Sequence, residues 1–216
     1  MTDSFFRDVE VPPYDDDDHL PTFLPEWTGP PWHWAAVPIL INRELGRSDT
    51  TVILLDSVRV FPRGMLLRIV IRISDTGRRA RNRVWDYLDR AHGRGQLDDR
   101  FAPAGFRWGI AYSDGRRITT QDESPWAGAQ DIEEMDVAGP VLEGAGRPAV
   151  FADSWTRDFW VWPLPPLSTL QVAVEWPARD VLETLTAIDV QPLLDAAQAS
   201  RPLWPTATPT ALDEGS

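Results

Sequence analysis

The sequence predicts an all-β protein: an antiparallel β-sandwich, immunoglobulin-like in architecture, with one inserted helix and a short C-terminal helix. Three observations carry that expectation. Apolar and polar residues alternate with period two in segment after segment, most cleanly in MLLRIVIRIS at 65–74. Turn signals built on Gly, Pro, Asp and Ser separate these segments at short intervals. Nowhere do strands alternate with long helical patterns, as a parallel α/β sheet would require. The chain has 216 residues, which suits one domain with tails and buries enough surface to need no metal or disulfide.

Residues 1–31 read as an acidic, proline-rich N-terminal arm. The stretch VPPYDDDDHLPTFLPEWTGPP at 11–31 holds six prolines and a run of four aspartates. Proline removes backbone donors and like charges repel, so neither a helix nor a central strand suits it. Packing is expected from Leu20 onward, with Phe23, Leu24 and Trp27 as anchors, and disorder before it; the alternative is a free arm that serves as an acidic-aromatic docking peptide. The domain proper is expected over 32–205, followed by a polar tail at 206–216.

AVPILINREL at 36–45 and TTVILLDSVRVF at 50–61 read as strands joined through GRSD. After the turn at Pro62-Arg63-Gly64 comes the cleanest strand, with Leu67, Ile69, Ile71 and Ile73 on one face. Leu66, Arg68, Val70 and Arg72 occupy the other. The rhythm then changes: Val84, Leu88 and Ala91, with Trp85 beside them, recur at helical spacing. This predicts an inserted helix near 78–93, closed by Gly93. FRWGIAYSDGRRITTQ at 106–121 returns to period two, and Asp114-Gly115 marks a hairpin. A strict two-residue loop there would set Ala111 against Ile118, so either a bulge shifts the register or both faces are half covered.

Residues 122–148 read as an acidic loop. AVFADSW, RDFWVWPL, STLQVAVEWP and VLETLTAIDV read as further strands, the third with Leu170, Val172, Val174 and Trp176 on its apolar face. Asp189 is placed to cap a short terminal helix in VQPLLDAAQAS, docking through Leu193, Leu194 and Ala197.

Composition excludes several chemistries. Thirty-three acids against 21 bases give a net charge of -12, which disfavours nucleic acid and anionic membranes as partners. All 21 bases are arginine, so a Schiff-base lysine and a P-loop lysine are both ruled out. The absence of cysteine rules out thiol catalysis, thiolate metal sites and disulfides. No run of 18 apolar residues occurs, and MTDSFFRDVEVPP lacks the pattern of a secretory signal, so a cytoplasmic protein is expected. Phosphate-binding glycine motifs, a nucleophile elbow and zinc-ligand spacing are all missing, and no cofactor is expected.

The candidate binding residues are arginines and tryptophans. Arg68 and Arg72 share a strand face, and Arg107 projects from the polar face of another strand. Neighbouring strands would turn these into an arginine stripe suited to carboxylates or phosphates; otherwise they pair internally, for instance with Glu175. Among the 11 tryptophans, Trp32 and Trp34 flank His33, and Trp160 and Trp162 flank Val161. On a strand each pair would form one aromatic surface, either a ligand platform or buried core. Asp153 and Asp158 are the carboxylates considered for hydrolytic acid/base work, and His19, His33 and His92 the histidines.

The segment WVWPLPPLSTLQVAVEWP, with the later PLWP at 202–205 and PEWTGPPWHW at 25–34, resembles a group of actinobacterial proteins that carries no assigned activity. The resemblance implies a cytoplasmic protein of a high-GC organism and supplies no site residues. The leading expectation is therefore a non-enzymatic, protein-binding sandwich, with a homodimer through a sheet edge as one arrangement. The alternative is a sandwich that binds carbohydrate or a small molecule through its tryptophan pairs, and the third reading is a hydrolase. Exposure of Trp160 and Trp162 separates the first two.

Overall fold

The structure, a computed structural model, describes residues 24–74, 77–92, 102–127, 132 and 135–204. Its strands are β1 (Trp34–Ala35), β2 (Val37–Arg47), β3 (Thr51–Val60), β4 (Met65–Ile73), β5 (Arg107–Ala111), β6 (Arg117–Thr119), β7 (Val141–Phe151), β8 (Ser154–Trp162), β9 (Thr169–Trp176), β10 (Val181–Asp189) and β11 (Arg201–Pro202). Helix α1 spans Arg78–His92 and α2 spans Gln191–Ala199. Five strands form one sheet in the order β2-β3-β4-β8-β7, and four form the other in the order β10-β9-β5-β6. A two-stranded ribbon joins β1 to β11, and every pairing is antiparallel. This is the all-β sandwich that the alternation predicts.

Alternation places the core between the sheets. Leu67, Ile69 and Ile71 of β4 are fully buried, as are Ile53 and Leu55 of β3 and Leu170 and Val172 of β9. They meet Trp108, Trp155, Phe159 and Trp176 in one continuous cluster. Aromatic rings supply the bulk: Trp108 and Phe159 stand edge to face at 4.8 Å. The sheets approach closely where β2 ends, and there the Thr184 hydroxyl of β10 donates to the Leu45 carbonyl.

Both helices serve this core. Leu88 and Ala91 of α1 are buried, as their helical spacing predicts, and so is Trp85 beside them, whereas Val84 is half-buried; Gly93 lies outside the described residues. The Trp155 indole donates to Asp89 of α1 at 2.8 Å, tying helix to sheet. His92 is buried among Phe106, Trp155 and Phe159, with Nε2 3.1 Å from the Phe106 carbonyl oxygen. It is a core histidine rather than one facing a cleft. In α2, Leu193 and Ala196 are buried, and the Asp189 carboxylate accepts the Gln191 amide at 3.0 Å.

The hairpin after β5 resolves its own register. Tyr112 N–H donates to the Arg116 carbonyl at 2.8 Å, which leaves a loop of Ser113, Asp114 and Gly115. Gly115 takes φ +91°, which glycine adopts without steric cost. The extra loop residue sets Ile110 opposite Ile118, and both face the core.

Two expectations are corrected. VLEGAG at 141–146 is not loop but the first half of β7. Glycines hide the strand pattern there. Gly144 has no room for a side chain, because a β-carbon would stand 2.1 Å from Nη2 of the buried Arg157. AVFADSW, in turn, is not one strand: it is the hairpin from β7 to β8, with Phe151 opposite Ser154 and Ala152-Asp153 as its loop. No helix among the described residues is long and apolar enough to cross a membrane.

Candidate functional site

The outer face of the five-stranded sheet carries a second, smaller core. Phe61, Leu66 and Trp160 are buried there, with Trp34, Ala36, Ala145 and Trp162 packed against them. Residues 24–34 cover part of this face. Trp27 is buried against Trp126, with rings 5.2 Å apart, and Glu26 pairs with Arg63 at 3.0 Å. The ribbon fastens this segment to the C-terminal end. Trp34 stands opposite Pro202, the Leu203 amide donates to the His33 carbonyl at 2.9 Å, and the Ser200 hydroxyl donates to Ala35 at 2.9 Å.

Beside this small core the face turns polar. Arg68 of β4 is directly opposite Asp158 of β8. Its Nε donates to Oδ1 at 2.8 Å and its Nη2 to Oδ2 at 3.1 Å. Arg59 of β3 adds a bond from Nη2 to Oδ2 at 2.6 Å. Asp158 is the less exposed partner, its side chain 17% exposed, whereas those of Arg59 and Arg68 are 45% and 43% exposed. The hydrogen bonds to Asp158 raise the Arg68 pKa above its ordinary value, and the charges of Asp158 and Asp56 act in the same direction.

These arginines border a cleft of about 550 Å³. One wall is Pro30, Pro31, Trp32 and Trp34, the floor includes Phe61 and Leu66, and the other wall is β7 from Ala145 to Ala149. There the pairing of β7 with β8 jumps from Ala145↔Asp158 to Ala149↔Thr156, and Gly146 has φ +67°. The bulge bows β7 away from its neighbour and carries Arg147 to the rim. A second cavity of about 320 Å³ shares Pro30, Pro31, Trp32 and Trp34 with the cleft and reaches Trp160, Trp162 and Arg63.

Five of the seven candidate residues thus gather around the two adjoining cavities: Arg68, Trp32, Trp34, Trp160 and Trp162. They do so in different states. Trp160 is 1% exposed and Trp162 half-buried, so this pair is mainly core rather than a platform. Trp32 is 58% exposed and packs on Trp204, itself 56% exposed, at 5.4 Å and 52°.

The arginine stripe does not form. Arg107 lies on the other sheet, because β5 pairs with β6 and β9 rather than with β4. It faces its cross-strand neighbour Glu175, to which Nε donates at 2.6 Å, the internal pairing named above as the other possibility. Arg72 is on the same face as Arg68 but near the end of β4, 3.8 Å from Asp153. Asp153 and Asp158 do not converge. Four residues of β8 lie between them, and five steps of extended chain span about 16 Å at the rise of a strand, beyond the spacing of paired glycosidase carboxylates. Among the described residues no three His, Asp or Glu side chains gather as metal ligands would.

Arg59, Arg147 and Trp204 are the site residues that sequence reasoning misses. Arg59 was within reach, since Val58 and Val60 face the core and the residue between them must face outward. Arg147 and Trp204 were not, because only the bulge and the ribbon bring them here. No family model, curated protein or solved structure matches the chain.

Proposed function

We propose that this protein is a non-enzymatic binding module whose protein partner contacts the outer face of the five-stranded sheet, around Trp32 and Trp204. The observation that supports this reading is the exposed indole pair itself. Two large apolar rings more than half open to solvent, with exposed Leu24 and Leu203 near them in sequence, are costly to leave in water. Tryptophan and arginine are also the residues on which interface energy concentrates, and Arg59 and Arg68 lie in the adjoining cleft. The 52° tilt between the rings gives no flat platform for stacking a sugar, which favours a protein surface over a carbohydrate.

The test is a photo-crosslinking amino acid placed at Leu203, with a second at Leu182 on the opposite sheet as control. Crosslinks from position 203 to one protein in host lysate, lost on Trp32→Ala plus Trp204→Ala and kept on Arg107→Ala, support the reading. Equal crosslinking from both positions, or capture that survives the double substitution, overturns it.

A further inference from the structure

We propose that the cleft between the Trp32 wall and the β7 bulge is a binding site for a small organic carboxylate with a flat apolar body. This goes beyond the protein contact at the indole pair: it shares Trp32, Arg59 and Arg68 with that reading but rests on the charge, lining and shape of the cleft. The first is charge. Arg59 and Arg68 offer ten N–H donors between them, of which Asp158 takes three. Arg147, exposed on the rim, has no carboxylate partner among the described residues. Four guanidiniums line the cleft, those of Arg59, Arg68, Arg147 and the buried Arg157, and even the three nearest the opening outnumber Asp158 and Asp56, whose charge acts on Arg68; this lies in a chain whose net charge is -12.

That contrast selects for size. The field of an acidic protein repels an extended polyanion along most of its length. A compact monoanion meets only the local arginines, which are worth more beside apolar walls than in open water. Asp158 shows the geometry such a group would find: its carboxylate receives a fork from Arg68 and a further donor from Arg59.

The second observation is the lining. Trp32, Trp34, Phe61 and Leu66 stand beside the arginines, so one end of the cleft is cationic and the other apolar and aromatic. Its volume of about 550 Å³ lies within the range of small-molecule sites. The third is the bulge. A regular β7 would run flush along β8 over Asp158 and Thr156; the break at Ala145–Ala149 opens that space.

The full-length protein would be titrated calorimetrically with benzoate, and in parallel with benzyl alcohol, acetate and inorganic phosphate. Saturable binding of benzoate, stronger than that of the other three and weakened by salt, is expected. Arg59→Gln should weaken it about tenfold, the worth of a charge-assisted hydrogen bond. Arg147→Gln, an exposed change with little risk to folding, should weaken it less, and Arg107→Gln on the other sheet not at all. Far-ultraviolet circular dichroism would verify that each variant is folded. Benzoate binding no stronger than benzyl alcohol removes the anion site, and phosphate binding as tightly as benzoate removes the apolar part. Unchanged affinity in both folded Arg59→Gln and folded Arg147→Gln overturns the assignment to this cleft.

Discussion

Asp158 on β8 sits directly across from Arg68 on β4, and the same carboxylate also holds Arg59 from the next strand over. One half-buried acid therefore stitches three adjacent strands on the outer face of the sheet. Its removal leaves two guanidiniums facing each other without their common partner. Asp158→Ala should lower stability by about 1–2 kcal/mol, between an exposed and a fully buried ion pair. Urea unfolding measures it, and a double-mutant cycle with Arg68→Ala should show clear coupling. Simple additivity of the two changes would mean that the fork contributes nothing to the fold.

The turn between β3 and β4 is shaped by a ring. A β-carbon on Gly64 would stand 2.3 Å from the buried Trp160 indole and 2.9 Å from the Val161 carbonyl oxygen. Gly64→Ala must push that ring or the strand behind it, at a cost of about 1–3 kcal/mol, typical of overpacking. The near-ultraviolet circular dichroism of the tryptophans should change with it. Unaltered stability and spectrum would show that the small outer core is loosely packed.

Tyr112 makes alkaline stability informative. Burial pushes its phenol well above the ordinary value of 10.0, and its hydroxyl donates to the Pro163 carbonyl at 2.5 Å. The folded state thus keeps the proton that the unfolded state gives up near pH 10. The contribution is complete below pH 10 and is lost progressively as the pH rises above it. With no lysine and no cysteine, only three tyrosines and the α-amino group titrate in this range. Tyr112→Phe should flatten the decline in stability above pH 10, followed by urea midpoints from pH 8 to 11. An equal decline in wild type and variant would sink this account.

Helix α1 is the insertion whose place in the core can be tested most directly. Leu88 is fully buried beside Trp85 and Trp155 in the main cluster. Leu88→Ala should cost about 2–5 kcal/mol, the range for emptying a core site. A loss below that range, in thermal or urea unfolding, would mean that the helix packs on the sandwich without belonging to it.

Much of the fold is legible in one dimension. The alternation of β4 and β9 assigns each side chain to a face, and burial of Leu67, Ile69, Leu170 and Val172 follows it. Spacing at Val84, Leu88 and Ala91 marks the inserted helix, and at the Asp114-Gly115 turn the register shift, one of two outcomes open in the sequence, aligns Ile110 with Ile118. The first half of β7 escapes notice because Gly144 and Gly146 serve local needs, space for Arg157 and a left-handed bend, rather than the period of a strand. The site is less legible. Arg68 and the four tryptophans of the two pairs were readable as candidates, but nothing local brings them together.

What the sequence by itself determined is therefore which face each residue turns, where the chain bends, and which chemistries are closed to it for want of lysine and cysteine. Only the tertiary structure decided which strands are neighbours. It put Arg107 beside Glu175 on one sheet and Arg68 beside Asp158 on the other. It also brought Trp204 onto Trp32 across the length of the domain. The reason is physical: period two is a property of one strand's backbone, whereas the choice of neighbour is settled by burying both sheets' apolar faces together, a condition to which all the strands contribute at once.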